Sequence, residues 1–362
     1  MKILKNAPVL SVIMSVYNGE SYLEEAIESV AKQTFTDWEL IVINDCSVDG
    51  TAGILEDFAK KDERIKVFPN EVNLKLPTSL NKAISLSTGK YILRMDADDI
   101  CLPERFQKQY DFMEKNPNVD LSSCRFLTLK NGSYASGGCG TRCDSEAIRA
   151  MLLVSNPILH PGVIAKAQVM KDYLYNTSLT CTEDLELWTR MAKDGLNLKI
   201  QPEYLLFYRL HDKQITSTTL ERQRTEVLGI QDRYYNAIME EIPADLKDFY
   251  INGIYFRDNS DISMYLKFFR WLRSVNRKKR VFKDNVIYYA MMEILAEYKR
   301  KGTPKGDIIK TMMKFDVCFL VKEIIRRKKA ASADMAKCMK TAEKAGLVQV
   351  AGSAEFPIFS KK

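Results

Sequence analysis

The chain has 362 residues, 46% of them hydrophobic and 28% charged, the mix of an ordinary folded protein with one large or two modest domains. That composition excludes disordered, collagenous and low-complexity scaffolds. The net charge of +7 hides a split, because residues 261–330 carry 19 Lys and Arg against 7 Asp and Glu while the remainder is slightly acidic. No apolar run approaches the ~18 residues of a spanning helix, and Met1–Asn6 lacks the apolar stretch of a signal peptide. The expected location is therefore the cytosol, extending to a peripheral position on the inner face of the cell membrane.

Two histidines and eight scattered cysteines leave little material for a Ser-His-Asp or Cys-His hydrolase. Cys139 and Cys143 are the tightest cysteine pair, and the shortage of further ligands disfavours zinc there.

Taken in order, residues 10–16 (LSVIMSV) form a short apolar, β-branched run that predicts a buried strand ended by Asn18-Gly19. Residues 20–32 have helical apolar spacing, 38–43 (WELIVI) predict a second strand, and 49–60 a second helix. A third strand is expected at 65–68, a third helix at 78–86 and a fourth strand at 91–95. This alternation implies an α/β fold with parallel pairing and right-handed crossovers, whose ligands sit beyond the carboxyl ends of the strands. Tyr17, Asp45 and the carboxylates Asp96, Asp98 and Asp99 all fall at such ends. A helix at 104–114, a strand at 121–129 and a polar surface loop at 131–144 follow. From about residue 222 the pattern is mostly helical.

Asp96-Ala97-Asp98-Asp99 places three carboxylates in four residues, and such crowding calls for a compensating cation. Carboxylate oxygens suit a hard ion, Mn²⁺ or Mg²⁺; the competing reading is an N-cap for the helix after Pro103. Glu183-Asp184 opens an amphipathic helix, either complementing its dipole or supplying a general base. His211 ends the run Tyr208-Arg209-Leu210-His211, where a lone histidine is more often structural.

Together the blocks LSVIMSVYNGESYLEEAIESVAKQTFTDWELIVINDCSVDGT, TGKYILRMDADDICLPERFQKQ, TEDLELW and YRLH resemble a family 2 glycosyltransferase of the GT-A (Rossmann-like) fold, over residues 8 to about 217. The resemblance implies a GT-A domain at 8–220 followed by a helical basic region at 221–362. It implies an inverting, non-processive enzyme that moves one sugar from a nucleotide-diphosphate donor, most commonly a UDP-sugar, to a glycan or lipid-linked acceptor, as in cell-surface polysaccharide synthesis. By that resemblance Tyr17 packs near the base, Asp45 accepts a base N–H, and Asp96 lies near the ribose. Asp98 and His211 hold the Mn²⁺ or Mg²⁺, and Asp184 is the catalytic base. Relatives carry Asn-x-Gly-Leu where this chain has Asn73-Leu74-Lys75-Leu76, and Lys75 is read as solvated. Lys267-Phe-Phe-Arg-Trp271 resembles the block of processive members superficially and is read as coincidence. The alternative function is a catalytically silent nucleotide-sugar-binding or scaffold protein, which retention of both Asp98 and Asp184 disfavours.

The tail has its own reading. Phe268, Phe269, Trp271, Leu272 and Phe282 interleave with cations as in basic helices that lie on anionic membranes. The competing reading is helices packed on the catalytic part with a solvated basic face; nucleic acid is disfavoured for want of a recognition motif.

Overall fold

The alternating runs build one mixed sheet. The computed structural model describes residues 7–130, 133–136, 144–211, 220–258 and 261–313; the Cys139–Cys143 pair lies outside them. The strands are β1 (Leu10–Val16), β2 (Trp38–Asn44), β3 (Ile65–Pro69), β4 (Tyr91–Arg94), β5 (Ile100–Cys101), β6 (Leu121–Lys130), β7 (Ser133–Ser136), β8 (Ile164–Lys166) and β9 (Leu198–Arg209). The helices of the first two-thirds are α1 (Leu23–Ala31), α2 (Thr51–Lys61), α3 (Leu76–Leu86), α4 (Arg105–Lys115), α5 (Ser145–Met151), α6 (Ala167–Asp172) and α7 (Glu183–Lys193). Beyond them come α8 (Leu220–Ile238), α9 (Ala244–Phe249), α10 (Ile262–Lys279), α11 (Asp284–Arg300) and α12 (Lys305–Met313), with a π-helical turn at Tyr250–Tyr255.

The strand order is β3-β2-β1-β4-β8-β6-β9-β5, with β7 on β6. β1 pairs in parallel with both β2 and β4, so the chain reverses its direction of winding at β1, the position where such sheets bind ligands. The second half is mixed, since β8 runs antiparallel to β4 and β6 while β9 runs parallel to β6. The expected loop at 131–144 is corrected in part: Ser133–Ser136 folds back on β6 as an antiparallel strand.

Strand alternation sorts side chains between two cores. Leu10, Val12, Met14, Leu40 and Val42 face the layer of α1, α2 and α4. Ile13, Ile41 and Ile43 face the opposite layer, and there the cluster runs without interruption through Trp188 and Tyr235 to Phe269, Leu295 and Ile308. The helical C-terminal part thus extends the core on one side of the sheet, packing on α5 and α7.

This packing bears on the two readings of the tail, as far as residue 313. Phe268, Phe269 and Leu272 are fully buried, Phe282 is buried, and Trp271 stacks on Tyr235 at 5.9 Å. Most of the apolar face of α10 is used inside the protein, with Ile262, Met264 and Trp271 half-buried. Asp261 caps α10 by accepting from the Ser263 and Met264 amides at 2.7 and 3.2 Å. Its cations are largely engaged as well, Lys278 with Glu240 at 3.0 Å and Arg273 over the Tyr288 ring at 4.9 Å. Among the described residues no helix is long and apolar enough to cross a membrane.

Phe268→Ala should therefore cost about 3–5 kcal/mol in urea unfolding. Arg277→Gln, on the exposed face of the same helix, should stay within about 0.5 kcal/mol of wild type.

Candidate active site

The loops leaving β1, β2 and β3 each contain a non-glycine residue with positive φ: Asn18 (52°), Cys46 (63°) and Lys75 (70°). Such backbone is costly for L-residues and clusters where a loop is held in a fixed shape. Side chains hold these three. Asn18 N–H donates to Ser47 Oγ at 3.0 Å and Asn18 Oδ1 accepts from Val48 N–H at 2.9 Å, which stitches the first loop to the second. Asp45 does the same for the second and third. Its Oδ1 accepts from Asn70 Nδ2 (2.8 Å), Leu74 N (2.9 Å) and Ser79 Oγ (3.0 Å), and its Oδ2 from Lys75 N (2.9 Å). At 2% exposure this carboxylate is already occupied as a brace, and a base N–H would have to use the remaining capacity of Oδ2. Tyr17, by contrast, is 51% exposed at the end of β1. Lys75 is exposed, in backbone that glycine would adopt without strain.

Beyond β4 the three carboxylates of Asp96, Asp98 and Asp99 converge, with one oxygen from each lying within 4.8 Å of the others. The capping alternative is not realised. Helix α4 starts at Arg105 with Glu104 before it and no side-chain cap, and Asp99 Oδ1 instead accepts from Arg209 N at 2.9 Å. The end of β9 is seated on the cluster by this bond and by Arg209 Nε donating to Asp98 O at 2.8 Å. That places His211 Nε2 2.9 Å from Asp98 Oδ2, so the two expected metal residues, 113 positions apart, meet. Asp99 is a third member that the sequence-based site assignment omitted; it is fully buried and its Oδ2 has no hydrogen-bond partner among the described residues. Burial, then the charges of Asp96 and Asp98, push Asp99 well above the usual carboxylate range. Burial raises Asp96 too, against the opposing pull of Arg94. Crowded acids with a buried unpaired oxygen and an adjacent imidazole fit a hard divalent cation, which would favour the ionised forms that crowding opposes.

The second half of the site is the start of α7. Asp184 Oδ2 accepts from Asn156 Nδ2 at 2.7 Å and Oδ1 from Leu185 N at 2.7 Å. Burial raises Asp184, and these two donors restrain the rise. Its neighbour Glu183 is buried with Oε2 unpartnered among the described residues, and burial with the Asp184 charge pushes it up to about 7. His160, which sequence reasoning passed over, stands behind this pair, with Nδ1 3.8 Å from Glu183 Oε1 and Nε2 2.7 Å from the Tyr175 hydroxyl. Burial and the Arg94 charge hold it well below the usual histidine range, so it is neutral.

Arg94 joins the halves. It is 3% exposed, it contacts Asp96 directly, and its charge favours ionisation of Asp96, Asp99, Glu183 and Asp184. The only signal for it was a cation closing an apolar strand. Arg105, fully buried, holds the backbone on both sides by donating to Arg94 O at 2.9 Å and Pro161 O at 2.6 Å.

Comparison with known proteins agrees with this architecture. Residues 11–152 match the family model Glycosyl transferase family 2. The chain is 33% identical over 255 residues to an uncharacterised glycosyltransferase of Haemophilus influenzae, covering 67% of this chain and 78% of that protein. It is 31% identical over 215 residues to the putative teichuronic acid biosynthesis glycosyltransferase TuaG of Bacillus subtilis, covering 58% of this chain and 82% of the relative. Among solved structures, S. aureus TarS 1–349 in complex with UDP-GlcNAc superposes with TM-score 0.55 at 19% identity, covering 80% and 89% of the two chains. The mannosyltransferase PcManGT from Pyrobaculum calidifontis, in complex with GDP-Man and Mn²⁺, does so at 0.51 and 15%, covering 93% and 88%.

The raised Glu183 has a testable sign. The unfolded chain releases this proton near the ordinary glutamate value while the folded chain keeps it to about 7, so stability drains as pH rises across that interval. Glu183→Gln removes the effect, and its melting temperature relative to wild type should be more favourable at pH 8 than at pH 5. An equal difference at both pH values would contradict the assignment.

Proposed function

The chain belongs to glycosyl transferase family 2, with the GT-A fold, and from that membership we propose that it moves one sugar from a UDP-sugar to a hydroxyl of a glycan or lipid-linked acceptor. The observation that carries the reading is the meeting of Asp98 and His211 with Asp96 and Asp99, on the same buried Arg94 that acts on Asp184. Residues 8–220 act as the catalytic part in this reading and 221–362 as the basic region, whose described helices, to residue 313, extend its core. Relatives named for teichuronic acid and O-antigen synthesis favour a role in polysaccharide assembly with a hexosyl or N-acetylhexosaminyl group. The UDP-GlcNAc complex of TarS favours a uracil nucleotide.

In this mechanism the donor lies across the ends of β1, β2 and β4, with the base near Tyr17 and Asp45 and the ribose near Asp96. Asp98 and His211, with Asp99 beside them, would hold Mn²⁺ or Mg²⁺, which when bound offsets the charge that develops on the departing diphosphate. The bond from the anomeric carbon to the phosphate oxygen breaks with its electron pair leaving on the nucleoside diphosphate. The acceptor oxygen bonds to the opposite face of that carbon, inverting it, and its proton passes to Asp184. Burial suits Asp184 to this work, because a carboxylate raised above its usual range is a stronger base. Asn156 fixes its orientation.

The test is nucleotide release from a panel of UDP-, GDP- and dTDP-sugars, with Mn²⁺ or with EDTA. Release with Mn²⁺ from a UDP-sugar and its loss in EDTA are expected, whereas a chain that binds donor without ever turning it over would be the silent binding protein. Two variants separate the roles. Asp98→Asn should weaken Mn²⁺-dependent UDP binding in calorimetry, and unchanged affinity would remove Asp98 from the metal site. Asp184→Asn should keep UDP affinity and lose about 10²–10⁴ in turnover. A greater loss in Glu183→Gln would move the base by one residue.

A further inference from the structure

Beside Asp184 is a recess of about 150 Å³, bounded on one side by Asn156, Thr182 and Asp184 and on the other by Val227, Tyr255 and Phe256. At ~30 Å³ per water this is room for about five waters, the scale of one sugar ring rather than of a polyprenyl chain. The two sides differ in chemistry. One offers a carboxylate, an amide and a hydroxyl; the other offers an aliphatic side chain and two aromatic rings, which meet edge to face at 5.3 Å.

The aromatic side is fixed in place. The Arg224 guanidinium covers Phe256 at 4.7 Å and is itself held by the side chains of Asn252 and Asp258. Helix α8 is fastened to the base helix because Glu226 accepts from Thr182 Oγ1 at 2.7 Å and from Cys181 Sγ at 3.3 Å. Asp184 also adds to the burial that raises the Tyr255 hydroxyl, so ring and carboxylate lie within electrostatic reach. Rings held rigidly before binding lose little entropy when a partner stacks on them.

A pyranose matches both sides, since it has a face of C–H groups and a rim of hydroxyls. A lipid chain would press alkyl groups against the Asp184 carboxylate and leave its remaining acceptor capacity unused, and a phosphate would meet the Asp184 charge with Arg224 already committed to Asp258. We propose that this recess receives the terminal sugar of the acceptor as a single pyranose ring, with its C–H face on Tyr255 and Phe256 and one hydroxyl at Asp184. The inference rests on Asp184 as the base. The choice of acceptor then resides in residues 227–256, outside the segment that matches the family model.

Saturation-transfer NMR tests it, with the methyl pyranosides of glucose, galactose, mannose and N-acetylglucosamine as probes in the presence of UDP. At least one pyranoside should show saturation on the C–H protons of one ring face. Phe256→Ala should abolish that signal and Phe256→Tyr should keep it, with Tyr255→Ala as the second variant should the first fail to fold by circular dichroism. As an acceptor, the same pyranoside should show KM raised about tenfold in Phe256→Ala, the order of one aromatic contact, with donor KM moving far less. Absence of any pyranoside signal in the wild type, or a signal indifferent to both aromatic variants, would overturn the proposal. Failure of the base assignment reads differently: Asp184→Asn would then turn over normally, whatever the pyranosides do.

Discussion

A guanidinium buried among carboxylates is the constraint around which the rest of this protein is arranged. Arg94 cannot shed its proton, and at 3% exposure its desolvation must be offset by anions close by. Asp96 is in contact with it, and Asp99, Glu183 and Asp184 all feel its field. The same charge holds His160 neutral. One cation thus keeps several acids within a small volume that would otherwise repel one another, yet does not neutralise them all. The remaining negative charge gives the β4 end its fitness for a divalent ion. Arg105 fixes the backbone of Arg94 and the Pro161 turn together, so the two halves of the site share one support.

Much of this was legible in the sequence because it depends on local pattern. The runs at 10–16, 38–43 and 65–68 became β1, β2 and β3 with shifts of a residue or less; β1 and β2 lie almost wholly buried, where continuous apolar runs belong. Asp96, Asp98 and Asp99 stood out as carboxylates crowded at a strand end and Glu183-Asp184 as acids opening a helix, and their proposed roles came from the family resemblance. What could not be read is what depends on distant partners. β5 and β8 are two and three residues long, too short to carry a period, and exist because β9 and β4 supply their hydrogen bonds. Arg94 was read only as part of a strand, and nothing local pointed to His160. Asp45 was assigned to a ligand, and nothing local disclosed that four donors from residues 70–79 converge on it.

The tail shows the same limit differently. Its sequence correctly announces an amphipathic helix, but amphipathicity does not say what covers the apolar face. Phe268, Phe269 and Leu272 read equally well as a membrane-facing stripe and as a protein core. The answer lay in Tyr235, Tyr250 and Tyr298, whose rings pack on Trp271, Phe268 and Tyr265 in a cluster continuous with the sheet face of Ile13, Ile41 and Ile43.

That shared core carries a consequence for how the chain comes to be folded. A cluster reaching from Ile13 to Ile308 cannot close until nearly all of the described chain has left the ribosome. At about 5–20 residues per second of synthesis, α5 and α7 wait several seconds for the later helices that pack on them. Contacts of such long sequence separation also form slowly, because loop closure must precede their reward. The nascent protein is therefore a natural client for chaperones that shield exposed hydrophobic surface, and a chain released before α10 is made would present an aggregation-prone face in place of a smaller enzyme.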